Sequence, residues 1–227
     1  MSVHDELKAR QQTVTQVLAN AVAQGPDRIF LDFSGTMYTF AEIDTMSTRL
    51  AHGMAELGVK QGDRVGTLLD TCVEAVVIWF AANKLGAIYV PVNAAYKGEY
   101  LRHQYADAGV EVGFVEPEYA ERVSLIRDEL PQLKTVVQRG SAPLVAEGLN
   151  LVQFEDVLGG NEPIPDPNRY SDISMLIYTG GTTGPSKGCI ISHNYACNLA
   201  RNAVVNGKRC AEDISWSPLP LFHLNAL

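Results

Sequence analysis

Apolar positions in residues 14–23 recur at helical spacing and stop at Gly25-Pro26, which predicts an amphipathic helix with a stop signal. Residues 28–33 and 37–38 read as two strands around Ser34-Gly35-Thr36, a hairpin. Thr39 and Glu42 form a Thr-x-x-Glu capping box, and Leu50, Met54 and Leu57 carry the helical period on to Gly58. Strand and helix patterns then alternate. Strands fall at 64–69, 87–90, 111–115 and 135–138, with helices at 74–84, 99–108 and 119–129. Residues 140–168 are richer in Gly, Pro and Asn and read as a connection, with one short helix at 154–158. A new unit starts at Asp172: an apolar strand over 173–178, a Gly/Thr loop, a strand over 189–191, and a helix from His193 to about 206.

Alternation of this kind predicts an α/β fold whose parallel or mixed sheets are flanked by helices. The connection divides the chain into an α/β subdomain over 1–170 and the start of a second over 171–227. No internal repeat or low-complexity tract interrupts this reading.

Composition narrows the function classes. Hydrophobic residues make up 46% and charged residues 19%, ordinary for a globular α/β protein. The net charge of −8 argues against non-specific nucleic-acid binding, which needs a basic face. The longest apolar run, 75–82, is far shorter than the roughly 20 residues of a membrane span. Residues 1–10 are polar and charged, without a signal-peptide core. The four cysteines (Cys72, Cys189, Cys197 and Cys210) form no C-x-x-C pair and suggest no zinc site. They are expected to stay reduced in the cytoplasm, with Cys189 a small buried strand residue.

The chemistry concentrates in Tyr178-Thr-Gly-Gly-Thr-Thr-Gly-Pro-Ser-Lys-Gly188. Glycines let backbone N–H groups approach an anion closely. Threonine hydroxyls can donate to phosphate oxygens or ligate an escorting metal, and a lysine brings a point charge. The composition reads as a loop around a nucleoside triphosphate. It is not a Walker A loop, because Ser186 precedes Lys187 and Gly188 follows it. Ser192 is the N-cap candidate for the helix that follows, and His193 reads as structural. His223 follows Pro218-Leu-Pro-Leu-Phe222, a stiff apolar segment unlikely to bury an unpaired imidazole without a reason.

The loop resembles the signature [Y/F]-T-S-G-T-T-G-x-P-K-G of the adenylate-forming (AMP-binding) superfamily. That superfamily comprises acyl- and aryl-CoA synthetases, luciferases and peptide-synthetase adenylation domains. Two departures occur: Gly180 stands for the first serine, and Pro185-Ser186 stands for x-Pro. Three further segments resemble the same family in the same order. They are Thr39-Phe-Ala-Glu42 (T-Y-x-E-L), Lys84-Leu-Gly-Ala-Ile-Tyr-Val-Pro-Val-Asn93 (K-x-G-A-x-x-V-P-x-N) and Pro220-Leu-Phe-His223 (P-L-F-H).

The resemblance implies part of the large N-terminal domain of acyl-CoA synthetase-like enzymes. It also implies an ATP-dependent ligase that joins an acyl, fatty or aryl carboxylic acid to coenzyme A through an acyl-adenylate. Phe222-His223 is more like CoA ligases than the Phe-Asp of peptide-synthetase domains, so the acid should lack an α-amino group. In this reading Lys187 and His223 are the catalytic residues. Thr179, Gly180, Gly181, Thr182, Thr183, Gly184 and Lys187 hold the ATP phosphates, Thr183 contacts Mg²⁺, and His223 lines the carboxylate site.

Family members are usually more than twice as long as these 227 residues, and the chain stops inside an apolar segment. The expectation is a fragment with little or no turnover, able to associate or form a homo-oligomer through an apolar cut face. Two alternatives stay open on the sequence: a non-catalytic nucleotide-binding or interaction module, and a different nucleotide enzyme such as a kinase.

Overall fold

The structure, a computed structural model, describes residues 11–140, 142, 150–179, 185–210 and 212–224. Helix α1 (Val14–Gln24) begins in a capping box: the Thr13 hydroxyl accepts from the Gln16 N–H, and the Gln16 side chain accepts from the Thr13 N–H. Strands β1 (Ile29–Phe33) and β2 (Thr36–Thr39) form an antiparallel hairpin, the only members of their sheet among the described residues. Ser34 and Gly35 both take positive φ, 53° and 85°, as a two-residue hairpin turn requires. The Asp32 carboxylate accepts the Gly35 N–H and supports that turn. Helix α2 (Phe40–Glu56) starts in the expected Thr39/Glu42 box.

A seven-stranded sheet forms the body. Its strands are β3 (Arg64–Leu68), β4 (Ile88–Pro91), β5 (Val112–Val115), β6 (Thr135–Gln138), β7 (Asn150–Gln153), β8 (Ile173–Thr179) and β9 (Lys187–Ser192). The order is β7-β6-β5-β3-β4-β8-β9, parallel throughout except for the antiparallel β8–β9 pair. Helices α3 (Val73–Lys84), α4 (Glu99–Ala108) and α5 (Pro117–Ser124) are the crossovers, and α6 (His193–Gly207) follows β9. Mostly parallel strands need cover on both faces, and two cores provide it. One holds Ile43, Leu50, Met54, Ile78, Phe80 and Met175. The other holds Leu101, Tyr105, Val115, Val123 and Val136. Helix α3 is apolar on nearly every side and correspondingly buried between α2 and the sheet.

The expected α/β alternation is therefore present, with three local differences. Strand β7 lies inside the segment read as a connection; it is four residues long and half-buried, too short to show a period. The helix expected over 119–129 splits into α5 and a 3₁₀ turn at Arg127–Glu129. Cys189 is exposed, not buried, because β9 is the edge strand among the described residues. Among the described residues no helix is long and apolar enough to cross a membrane.

Candidate active site

The position of the Gly/Thr loop follows from the β8–β9 register. Tyr178 faces Gly188 and Thr179 faces Lys187, so Thr179 and Lys187 mark the mouth of the hairpin. Both are exposed. Strand β8 runs parallel to the five strands β7, β6, β5, β3 and β4, so this mouth opens at the carboxyl end of the strands, the edge where open α/β sheets hold ligands. Gly180, Gly181, Thr182, Thr183 and Gly184 lie outside the described residues. An exposed ammonium and an exposed hydroxyl across one strand pair suit an anion in charge and donor type.

Helix α4 touches this hairpin from both strands. His103 Nε2 lies 2.8 Å from the Ser186 carbonyl, and Gln104 Nε2 donates to Ser186 Oγ at 3.3 Å. Four residues on from His103, Asp107 accepts from the Tyr178 hydroxyl at 2.6 Å. Burial and the Asp107 carboxylate push the Tyr178 phenol up. Gly188 permits the contact: a Cβ there would come within 3.1 Å of the Tyr178 ring. The sequence reading missed His103, Gln104 and Asp107. Their partners lie more than 70 residues away in the chain, and the polar i, i+4 pair 103/107 was the one local signal.

Helix α6 starts as expected, with the Ser192 hydroxyl accepting from the Tyr195 N–H at 3.1 Å. His193 is fully buried, and its Nδ1 accepts from the Val14 N–H at 3.2 Å, joining the starts of α1 and α6. Its other nitrogen therefore carries the proton in the neutral ring. Desolvation lowers its pKa, opposed by Asp166 and Asp172.

His223 is exposed, with Phe222 beside it at 4.7 Å between ring centroids. A turn closed by the His223 N–H to Pro220 O carries it, while Leu221 and Leu224 on either side pack on the core. The apolar segment thus anchors the turn and leaves the imidazole outside. Among the described residues, no hydrogen bond or ring contact joins His223 to Thr179 or Lys187.

A second charged group caps the carboxyl ends of β3, β5 and β6. Arg139 Nε reaches both Glu116 oxygens at 3.0 Å, Glu116 also accepts the Asp70 N–H, and the Tyr119 hydroxyl donates to Asp70. Burial raises the Glu116 carboxyl while Arg139 and the Asp70 N–H pull it down. These contacts occupy one another and hold the loop ends. Among the described residues no cluster of three or more His, Cys, Asp or Glu could hold a metal ion.

A mostly parallel sheet with Thr179 and Lys187 paired at its carboxyl edge makes this an α/β protein of the open-sheet type, whose ligands lie at that edge. Residues 18–227 match the family model of the AMP-binding enzymes, and the chain belongs to that family. It is 32% identical over 184 residues to a medium/long-chain-fatty-acid–CoA/3-oxocholest-4-en-26-oate–CoA ligase of Mycolicibacterium smegmatis, covering 79% of this chain and 33% of the relative. It is 31% identical over 194 residues to a feruloyl-CoA synthase of an Amycolatopsis species, covering 85% and 36%. The crystal structure of an anthranilate CoA ligase in complex with anthranoyl-AMP superposes with a TM-score of 0.78 at 26% identity, over 86% of this chain and 38% of that one. The chain spans about a third of the length of the curated relatives it matches.

Proposed function

We propose that this chain carries the ATP-phosphate end of an AMP-forming ligase that joins a carboxylic acid to coenzyme A. The observation that supports it most is Lys187 opposite Thr179 at the carboxyl edge of the sheet, in a chain of the AMP-binding family. In this reading the reaction has two halves. A carboxylate oxygen attacks the α-phosphorus of ATP and displaces pyrophosphate. The coenzyme A thiolate then attacks the acyl carbon and displaces AMP.

In this reading the Lys187 ammonium offsets charge on the departing pyrophosphate, and Thr179 donates to the α-phosphate region or holds the loop. Gly180, Gly181, Thr182 and Gly184 would hold phosphate through backbone N–H groups and one hydroxyl, and Thr183 would offer its hydroxyl to Mg²⁺. Mg²⁺, when bound, supplies charge neutralisation to the phosphates. His223 lines the carboxylate end, and an acid without an α-amino group is the substrate class. Similarity to ligases named for fatty, steroid and aromatic acids supports that class.

The division at residue 171 belongs to the same proposal, although one sheet runs across it through the Tyr89–Met175 pair. So does association through exposed apolar residues: Ile190, Val205, Ile214 and Trp216 are all more than half exposed. Four free cysteines support a reducing compartment, the cytoplasm.

A second reading is that these 227 residues bind nucleotide without turnover. Acid-dependent ATP–pyrophosphate exchange across short, long and aromatic acids separates the two. Exchange with any acid shows adenylation by this chain. MgATP binding without exchange supports the binding-module reading, and release of ADP instead of AMP overturns both.

A further inference from the structure

We propose that His103 is a positioning residue for Lys187, acting through the Ser186 carbonyl; this rests on the nucleotide reading above. A carbonyl oxygen only accepts, so the 2.8 Å contact requires the proton on His103 Nε2. Ser186 immediately precedes Lys187, so holding the Ser186 peptide plane sets the direction in which the lysine leaves the strand. Gln104 adds a bond to the Ser186 hydroxyl, and Asp107 fixes Tyr178 on the opposite strand. Residues 103, 104 and 107 share one side of α4, so a single helix grips both strands of the hairpin at its mouth.

Burial shows that the grip is built in. Gln104 is 2% exposed, yet its Oε1 has no hydrogen-bond partner among the described residues. A buried amide used on one side only is costly, and its one bond goes to Ser186. The bare face of Gly188 lets the Tyr178 ring cross β9 and reach Asp107. The hairpin mouth is exposed, so without these contacts it would open locally at little cost.

The test compares trypsin cleavage after Lys187 with cleavage after exposed Lys208 in the same 227-residue chain, alongside calorimetric affinities for MgATP and AMP. His103→Leu should raise Lys187 cleavage relative to Lys208 by about fivefold to tenfold and weaken MgATP by a similar factor, with AMP affected less. His103→Gln, whose amide can donate to the carbonyl, should restore both readouts, which a loss of packing would not allow.

Unchanged cleavage at Lys187 would overturn the proposal. Faster cleavage with an unaltered MgATP to AMP ratio, in a chain that binds both, would overturn the positioning role. If the wild type binds neither nucleotide, the nucleotide reading fails, and the cleavage ratio alone decides whether α4 holds Ser186. Should His103→Leu fail to fold, His103→Ala, which removes the donor to the Ser186 carbonyl without adding an apolar side chain, is read by the same comparison.

Discussion

Lys84 at the end of α3 reaches Asp44 in α2, with Nζ 2.7 Å from Oδ1 and 3.0 Å from the backbone oxygen of the same residue. A third bond, 2.6 Å to Thr48 Oγ1, completes the donor set of the ammonium. The lysine is 9% exposed, and desolvation lowers its pKa against the pull of Asp44. Lys84→Met keeps the buried stem and removes the three bonds. Asp44 is partly exposed and can rehydrate, so the expected loss is about 1–3 kcal/mol. Urea unfolding should show a lower midpoint with an unchanged slope.

Gly53 lies where α2 crosses the 3₁₀ turn Phe154–Val157. A Cβ there would sit 1.7 Å from the Val157 carbonyl oxygen and 2.4 Å from its carbon. Backbone blocks it, so no side-chain rotation can relieve the clash. Gly53→Ala should destabilise by about 3 kcal/mol even though alanine is the better helix former, because overpacking outweighs propensity here. A fall in the thermal midpoint checks this.

These two sites show what was legible in the sequence. The segment from Lys84 to Asn93 stood out as a pattern, but the pattern did not say why Lys84 is needed; its partners are 36 and 40 residues upstream. Gly86 in the same segment ends α3 at φ +70°, and a Cβ there would meet Gln61 at 2.8 Å. Alternating periods showed the α/β class because each crossover helix and strand is long enough to display one. Strand β7 is not, and nothing local to α2 distinguishes Gly53 from any helix-interior glycine, since Val157 is more than 100 residues away in the chain. The candidate site was legible as a loop bounded by Thr179 and Lys187. Its support from α4 was not, since that contact exists only after β4, β8 and β9 have come together. The exposure of His223 was hidden for a related reason: Leu221 and Leu224 pack on the core, and the turn between them leaves the imidazole outside.

His193 predicts a pH dependence. Its folded pKa lies below the unfolded value near 6.5, because burial disfavours the charged ring. The unfolded chain then binds more protons, so this contribution is full above about pH 6.5 and is lost as pH falls toward the folded value. Asp166, held low partly by its Thr13 bond, loses its contribution in a separate window below about pH 4. Glu116, raised by burial, works in the opposite sense and loses stability as pH rises through its own window. The difference between wild type and His193→Asn isolates the histidine. The wild-type urea midpoint should drop more steeply between pH 6.5 and 5 than that of the variant, and parallel curves would exclude the assignment.

Lys187 is the site residue whose loss should be felt by phosphate number. It is exposed and takes the first position of β9, so Lys187→Met removes a charge without opening a cavity. A charge-assisted bond to the outer phosphates should be worth about tenfold or more in MgATP affinity. AMP has no outer phosphate, so its affinity should change by much less. Pyrophosphate should follow ATP, since it carries the same group without the nucleoside. Calorimetric titration of wild type and variant with the three ligands checks this. Equal weakening of ATP and AMP would move Lys187 from the outer phosphates to the α-phosphate, and no weakening of any ligand would remove it from the site.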